Sequence, residues 1–302
     1  MTESELKIII ETTYSLPVTS LDFLQQSGGA SYLVVSGAEK YLLKVIGNAF
    51  QDSVRQSTHV MNYLSERKFP VPRVIKTTDM QLFHEVSGQA LTLTEYLEGE
   101  EPDIQVHAEA IGRLVGQFHK LMDEYSESLV SRDEAFFTTR YIDILKKKHY
   151  DRIDVYSSLA NSLWSKVSSQ PVANCHGDLH RGNLLLAPDN QLYLLDFDTC
   201  CQAPRMFDVM VMCDTTNYFD LQPDDYKNAT EVFERFLSGY GEYITLSESE
   251  IASFYDWISL RHFQLQATIV ALYGLECIDN RFIDAQLQWL QTWQELHGGS
   301  KI

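Results

Sequence analysis

The sequence predicts an α+β fold in two lobes: a small β-rich N-lobe over residues 1–95 and a larger, mainly helical C-lobe over 96–302. Three observations lead there. The early part of the chain holds short, partly alternating apolar runs separated by glycines, a strand pattern. After Gly99 the apolar residues recur on a helical period instead. The chain has 302 residues and 44% apolar residues, enough for one large domain or two lobes with a real core.

Taken in order, Thr2 and Glu5 form a capping box that opens a helix through about Thr13. Strands are expected near 18–26, 31–36 and 40–46, with Gly28-Gly29 and Gly37 at the turns. A helix over about 53–67 sets Val54, Val60, Met61 and Leu64 on one face, and Pro70 and Pro72 end it. Two more strands are expected near 81–86 and 90–96. Beyond Gly99, Ile111, Leu114, Val115, Phe118 and Met122 mark an amphipathic helix over 106–124. The remainder is mostly helical, with a loop and two short strands near 172–198. Ser247 and Glu250 form a second capping box, opening a helix rich in aromatics: Phe254, Tyr255, Trp257 and Phe263. A last helix carries Trp289 and Trp293.

Charge and cysteine content narrow the function classes. Lys and Arg number 24 against 42 Asp and Glu, a formal charge of −18. Such a surface repels nucleic-acid phosphates and anionic membranes, so neither is expected as a partner. Five cysteines without a CxxC pair argue against a zinc site or disulfide framework and favour a cytoplasmic protein. The acidic start, Met1-Thr2-Glu3-Ser4-Glu5, does not resemble a secretion signal. Nothing in the pattern decides for or against a homodimer.

The chemistry concentrates in Cys175–Asp198, CHGDLHRGNLLLAPDNQLYLLDFD. Phosphoryl transfer needs positioning and charge neutralisation more than covalent help. Asp178 can orient a substrate hydroxyl and accept its proton. Asn183 and Asp196 can supply hard oxygen ligands to magnesium. Asn183 follows Asp178 by five residues, the step found in the kinase catalytic loop H-R-D-x-x-x-x-N. Leu184–Leu186 and Leu192–Leu195, joined by Ala187-Pro188-Asp189-Asn190, form a hairpin that presents Asp196 at its end.

His176-Gly177-Asp178 through Asn183, then Leu195-Asp196-Phe197-Asp198, resembles the signature of the aminoglycoside phosphotransferase and choline kinase family. The resemblance extends over most of the chain. It implies the protein-kinase-like bilobal fold, ATP and Mg2+ as cofactors, and a small-molecule hydroxyl acceptor. It implies Asp178 as catalytic base and Asn183 and Asp196 as metal ligands. Lys44, in Tyr41-Leu42-Leu43-Lys44, resembles the lysine that contacts the α- and β-phosphates. Thr94–Gly99 resembles the hinge that meets adenine, which points to Glu95 and Leu97. Asp208 matches an aspartate that supports the catalytic loop. His180 or Arg181 would help neutralise the transferred phosphoryl group.

The chain departs from that pattern in two places. The glutamate expected on the N-lobe helix to pair with Lys44 falls near Ser57, leaving Gln56 as a polar substitute. The phosphate loop lacks G-x-G-x-x-G and offers Ser27-Gly28-Gly29-Ala30-Ser31, whose amides at Gly28, Gly29 and Ser31 can still cover phosphates. Alternative readings are a serine/threonine protein kinase of the stress-response type and an inactive nucleotide-binding regulator. For the acceptor site the C-lobe aromatics are core by default, with Tyr255, Trp257 and Arg261 as candidates to line it. His119 is expected as a packed helix residue.

Overall fold

A computed structural model describes residues 1–26, 29–47 and 51–298. Ser27 and Gly28 of the expected phosphate loop therefore lie outside the described residues. The chain divides into two compact units, and it crosses between them more than once. One comprises Met1–Pro102 with Arg181–Cys200; the other comprises Asp103–His180 with Cys201–Ile302. Elements are numbered in chain order.

The first unit is built on an antiparallel sheet of order β1-β2-β3-β5-β4, from β1 (Ser20–Gln26), β2 (Ala30–Ser36), β3 (Glu39–Gly47), β4 (His84–Val86) and β5 (Gln89–Glu95). Helix α1 (Glu3–Thr13) starts at the expected capping box: Thr2 Oγ1 accepts from Glu5 N at 3.3 Å, and the Glu5 carboxylate accepts from Thr2 N at 2.7 Å. It buries Leu6 and Ile10 against one sheet face, with Leu43 and Val45 of β3 and Leu91 and Leu93 of β5. Alternation along a strand sends the intervening residues to the other face. There Lys44 pairs in register with Thr92 and Ser31. Helix α2 (Gln51–Glu66) lies on the Lys44 side, with Val54, Ser57, Thr58 and Met61 on one helical face.

The expected boundary near residue 95 differs from these units. Strands β8 (Leu184–Leu186) and β9 (Leu192–Leu194) form the expected hairpin, and it joins the first unit. Backbone bonds hold it there: Leu186 N to Glu100 O at 2.8 Å, Glu100 N to Leu186 O at 3.1 Å, and Leu194 N to Pro70 O at 3.0 Å.

The second unit is mainly helical. It contains α3 (Ile104–Met122), α4 (Arg140–Lys147), α5 (Ile153–Val167), α6 (Met206–Cys213), α7 (Asp225–Tyr240), α8 (Glu248–Ala252), α9 (Phe254–Tyr273) and α10 (Asn280–His297). Helix α9 is buried around most of its circumference and packs against α4, α5, α6 and α10. The long helix expected from Ser247 breaks instead at Ser253, whose Oγ donates to Glu250 O at 2.7 Å and competes with helix propagation. A small sheet of β6 (Val130–Ser131), β7 (Val172–Cys175) and β10 (Cys201–Pro204) supports the loop after β7. Strands β6 and β10 are too short to leave a periodic signal in the sequence. Among the described residues, no helix is long and apolar enough to cross a membrane.

Candidate active site

In the first unit, the hairpin register sets the geometry. Leu184 faces Leu194, so Asn183 and Asp196 emerge at the same open end, and Leu195 N donates to Asn183 O at 2.9 Å. Asp196 sits in the left-handed region at φ 58°, a conformation that side chains with a Cβ rarely adopt and that functional sites often hold. Lys44 Nζ lies 3.0 Å from Asp196 Oδ1 and 3.3 Å from Asp198 Oδ2. Burial disfavours the lysine charge, but the Asp198 and Asp196 carboxylates outweigh it and raise the lysine pKa. Burial raises the Asp198 pKa, with Lys44 opposing and Asp196 adding to the rise.

These residues share an open pocket of about 240 Å³, just under the roughly 300–1,000 Å³ usual for small-molecule sites. Leu42 and Ile46 flank Lys44 on β3, Thr92 and Thr94 come from β5, and Met61 comes from α2. Asn183, Leu195, Asp196 and Asp198 complete the wall. Two carboxylates with one lysine leave a net negative, oxygen-rich corner, which suits a divalent cation with hard-ligand preference. Gly29 and Ser31 line an adjoining recess with Lys44, Asp196 and Asp198.

The glutamate expected near Ser57 is absent from α2. Lys44 takes its acidic partners from the segment after β9, and Gln56 is engaged elsewhere, donating to Cys200 O at 2.6 Å. Ser53 Oγ donates to Asp198 O at 2.5 Å, so α2 grips the Asp198–Cys200 segment by its backbone. Asp198, two residues after Asp196 in the sequence, is the second carboxylate that Lys44 meets. Glu95 and Leu97 are not among the residues that line the pocket. Glu95 Oε1 accepts instead from Arg73 N at 2.9 Å. Arg181 is turned to Glu101, with Nε 2.8 Å from its carboxylate, and is largely exposed.

In the second unit, Asp178 stands on the loop that leaves β7. The fully buried Asp208 carboxylate holds that loop: Oδ2 accepts from His176 N at 2.6 Å, and Oδ1 accepts from Gly177 N at 2.9 Å. Gly177 adopts φ 85°, which favours glycine at the bend. His119 Nε2 lies 3.0 Å from Asp208 Oδ2 and its Nδ1 2.7 Å from the Tyr240 hydroxyl, so it braces the loop. His119, Cys175 and Asp208 lie close enough to suggest a metal group. Both Asp208 oxygens are already bonded, and burial first, then Asp208, pushes the Cys175 thiol well up, away from the thiolate a metal needs.

His180 Nε2 lies 3.5 Å from Asp178 Oδ2, and Arg261 Nη2 lies 3.4 Å from Asp178 Oδ1. Burial would raise the Asp178 pKa, but the His180 hydrogen bond and the Arg261 and His180 charges win and lower it. Of the three aromatic-helix candidates for the acceptor site, only Arg261 stands beside Asp178. Trp257 is buried among Phe137 and Phe207, and the Tyr255 ring stacks on Tyr226 at 5.0 Å.

The model of the phosphotransferase enzyme family matches residues 25–245. A homoserine kinase of Zymomonas mobilis is 22% identical, with the match covering 74% of this chain and 72% of that protein. Amicoumacin kinase hAmiN, solved with AMP-PNP, Ca2+ and Ami, superposes with a TM-score of 0.76 at 16% identity, covering 99% of this chain and 94% of that one. A microcompartment-associated aminopropanol kinase superposes with a TM-score of 0.70 at 16% identity, covering 98% and 97% of the two chains. These likenesses establish a shared α+β fold of the protein-kinase-like kind.

Proposed function

The chain belongs to the phosphotransferase enzyme family, and from that premise we propose that it moves the γ-phosphate of ATP to a hydroxyl group of a small molecule. The observation that carries the reading is the convergence of Lys44, Asn183, Asp196 and Asp198 on one pocket. Residues 1–95, together with Arg181–Cys200, form the nucleotide side; the remaining helical part holds the base and the acceptor. The relatives support a small acceptor, since homoserine and aminopropanol are both small alcohols.

In this reading Lys44 contacts the α- and β-phosphates and exchanges its two carboxylate contacts for phosphate oxygens. Asn183 and Asp196, with Asp198 beside them, would hold Mg2+, which neutralises phosphate charge when bound. Gly29 and Ser31 lie where backbone amides can cover the phosphates. Asp178 orients the acceptor hydroxyl. The acceptor oxygen forms a bond to the γ-phosphorus, the bond to the ADP oxygen breaks, and the hydroxyl proton passes to Asp178. A carboxylate with a lowered pKa is a weak base, which suits a loose transition state in which positioning matters more than early proton removal. His180, 3.5 Å from Asp178, is placed to steady that carboxylate. A donor of ATP and free thiols at all five cysteines fit a cytoplasmic location.

The test is MgATP-dependent ADP release from purified protein across a panel of alcohols, amino alcohols and hydroxy acids. Asp178→Asn is expected to keep nucleotide binding and lower kcat by about 10²–10⁴-fold. Asp196→Ala is expected to weaken MgATP binding as well. Full activity in Asp178→Asn, or no acceptor-dependent ADP release with any compound, would sink the reading.

A further inference from the structure

Arg261 is a buried cation that phosphoryl transfer itself does not require. Its side chain is only 13% exposed on α9. Nη1 donates to Gln264 Oε1 at 2.7 Å, while Nη2 stands 3.4 Å from Asp178 Oδ1. That second contact is longer than the about 2.7–2.9 Å of a full charge-assisted bond. The guanidinium fork therefore has bonding capacity left over beside the base.

The segment 214–218, between α6 and α7, faces the same charge. Gln286 Nε2 donates to Tyr218 O at 3.1 Å, and Trp289 Nε1 donates to Asn217 O at 2.9 Å. The Tyr218 ring stacks on His262 at 4.6 Å, one residue beyond Arg261. This pinning brings Asp214 and Tyr218 close enough to act on the Arg261 charge. Thr215 Oγ1 and the Tyr218 hydroxyl are buried without a hydrogen-bond partner of normal geometry among the described residues.

We propose that Arg261 determines acceptor specificity by binding a carboxylate of the acceptor beside the hydroxyl that Asp178 orients. The acceptor class is then small hydroxy acids, held by the guanidinium beside Asp178. A polycationic acceptor fits poorly, because the fixed guanidinium would repel it where the local dielectric is low. A second phosphate fits poorly too, since its double charge would crowd Asp178 and the arriving phosphoryl group. The inference rests on the kinase reading and deepens it.

The experiment compares matched acceptors in the ADP-release assay: a hydroxy amino acid such as homoserine, serine or threonine, its carboxamide, and its decarboxylated amino alcohol. The wild type is expected to prefer the carboxylate form by on the order of 10²-fold in kcat/KM, because an unfilled arginine fork penalises the other two. Arg261→Gln is expected to shrink the preference to a few-fold, chiefly through KM. Arg261→Lys keeps the charge without the fork and falls between. Circular-dichroism melting verifies that both variants fold. Equal use of all three acceptors by the wild type overturns the proposal. So does an Arg261→Gln effect that lowers kcat equally on all three, which would make Arg261 a positioning residue for Asp178 alone. Turnover confined to acceptors without a carboxylate overturns this inference and leaves the kinase reading standing; silence with every acceptor overturns both.

Discussion

Two side chains show how far local identity is remade by surroundings. Lys44 is an ordinary strand lysine by sequence, yet it faces Asp196 and Asp198, more than 150 positions later in the chain. His262 is the second case. It is buried on α9, with Nδ1 2.9 Å from Gln286 Oε1 and its ring 3.8 Å from that of Trp289. Burial first, with the Arg261 charge adding to it, lowers its pKa from 6.5 to about 4. The unfolded histidine therefore binds a proton more readily than the folded one as pH falls below 6.5. Each pH unit between those values removes up to about 1.4 kcal/mol of stability. His262→Gln is expected to flatten the melting temperature between pH 6.5 and 4 relative to the wild type. Parallel wild-type and variant curves in thermal melts across that range would contradict the assignment.

Among the elements, the α3–α7 crossing is the tightest. A Cβ at Gly112 would stand 2.0 Å from Phe236 O, and one at Gly239 would stand 2.0 Å from Glu109 O. Each glycine lets its helix meet the backbone of the other, and neither carbonyl can yield without moving a whole helix. Helix α3 carries His119 and α7 carries Tyr240, so this crossing also fixes the brace on Asp208. Gly112→Ala or Gly239→Ala is expected to cost about 3 kcal/mol or more, the upper part of the range for overpacking. Gly47→Ala, where a Cβ meets nothing within 4 Å among the described residues, serves as the control, with an expected change within about 0.5 kcal/mol. Urea midpoints compare the three. A Gly112→Ala protein as stable as the control would mean that the helices can part cheaply.

For the whole molecule, the notable feature is that the hairpin Leu184–Leu194 belongs with the N-terminal sheet. The backbone of Glu100 and Pro70 depends on it for hydrogen bonds. A fragment of residues 1–102 is expected to melt without cooperativity, and fusing residues 181–200 to it through a flexible linker is expected to restore a sharp transition. Calorimetry distinguishes the two. A sharp transition in the bare fragment would show that the sheet and α1 suffice alone.

Much of this protein was written in short-range pattern. The capping box at Thr2 and Glu5, the alternation along β3, the period of α3 and the hairpin around Pro188 all follow from local sterics and periodicity, so the α+β fold and the placing of Asn183 and Asp196 at one end of that hairpin were legible. The break at Ser253 was not, because one side-chain bond decides it. Nor were the partners of Lys44, the turning of Arg181 to Glu101, the His119–Asp208–Tyr240 brace, or the choice of Arg261 over Tyr255 and Trp257 beside Asp178. A sequence by itself determines which residues can form an element and which can do the chemistry. Which charge meets which, across 80 residues or more, is decided only when packed elements bring distant backbones to a few ångströms, and that was the work of the tertiary structure.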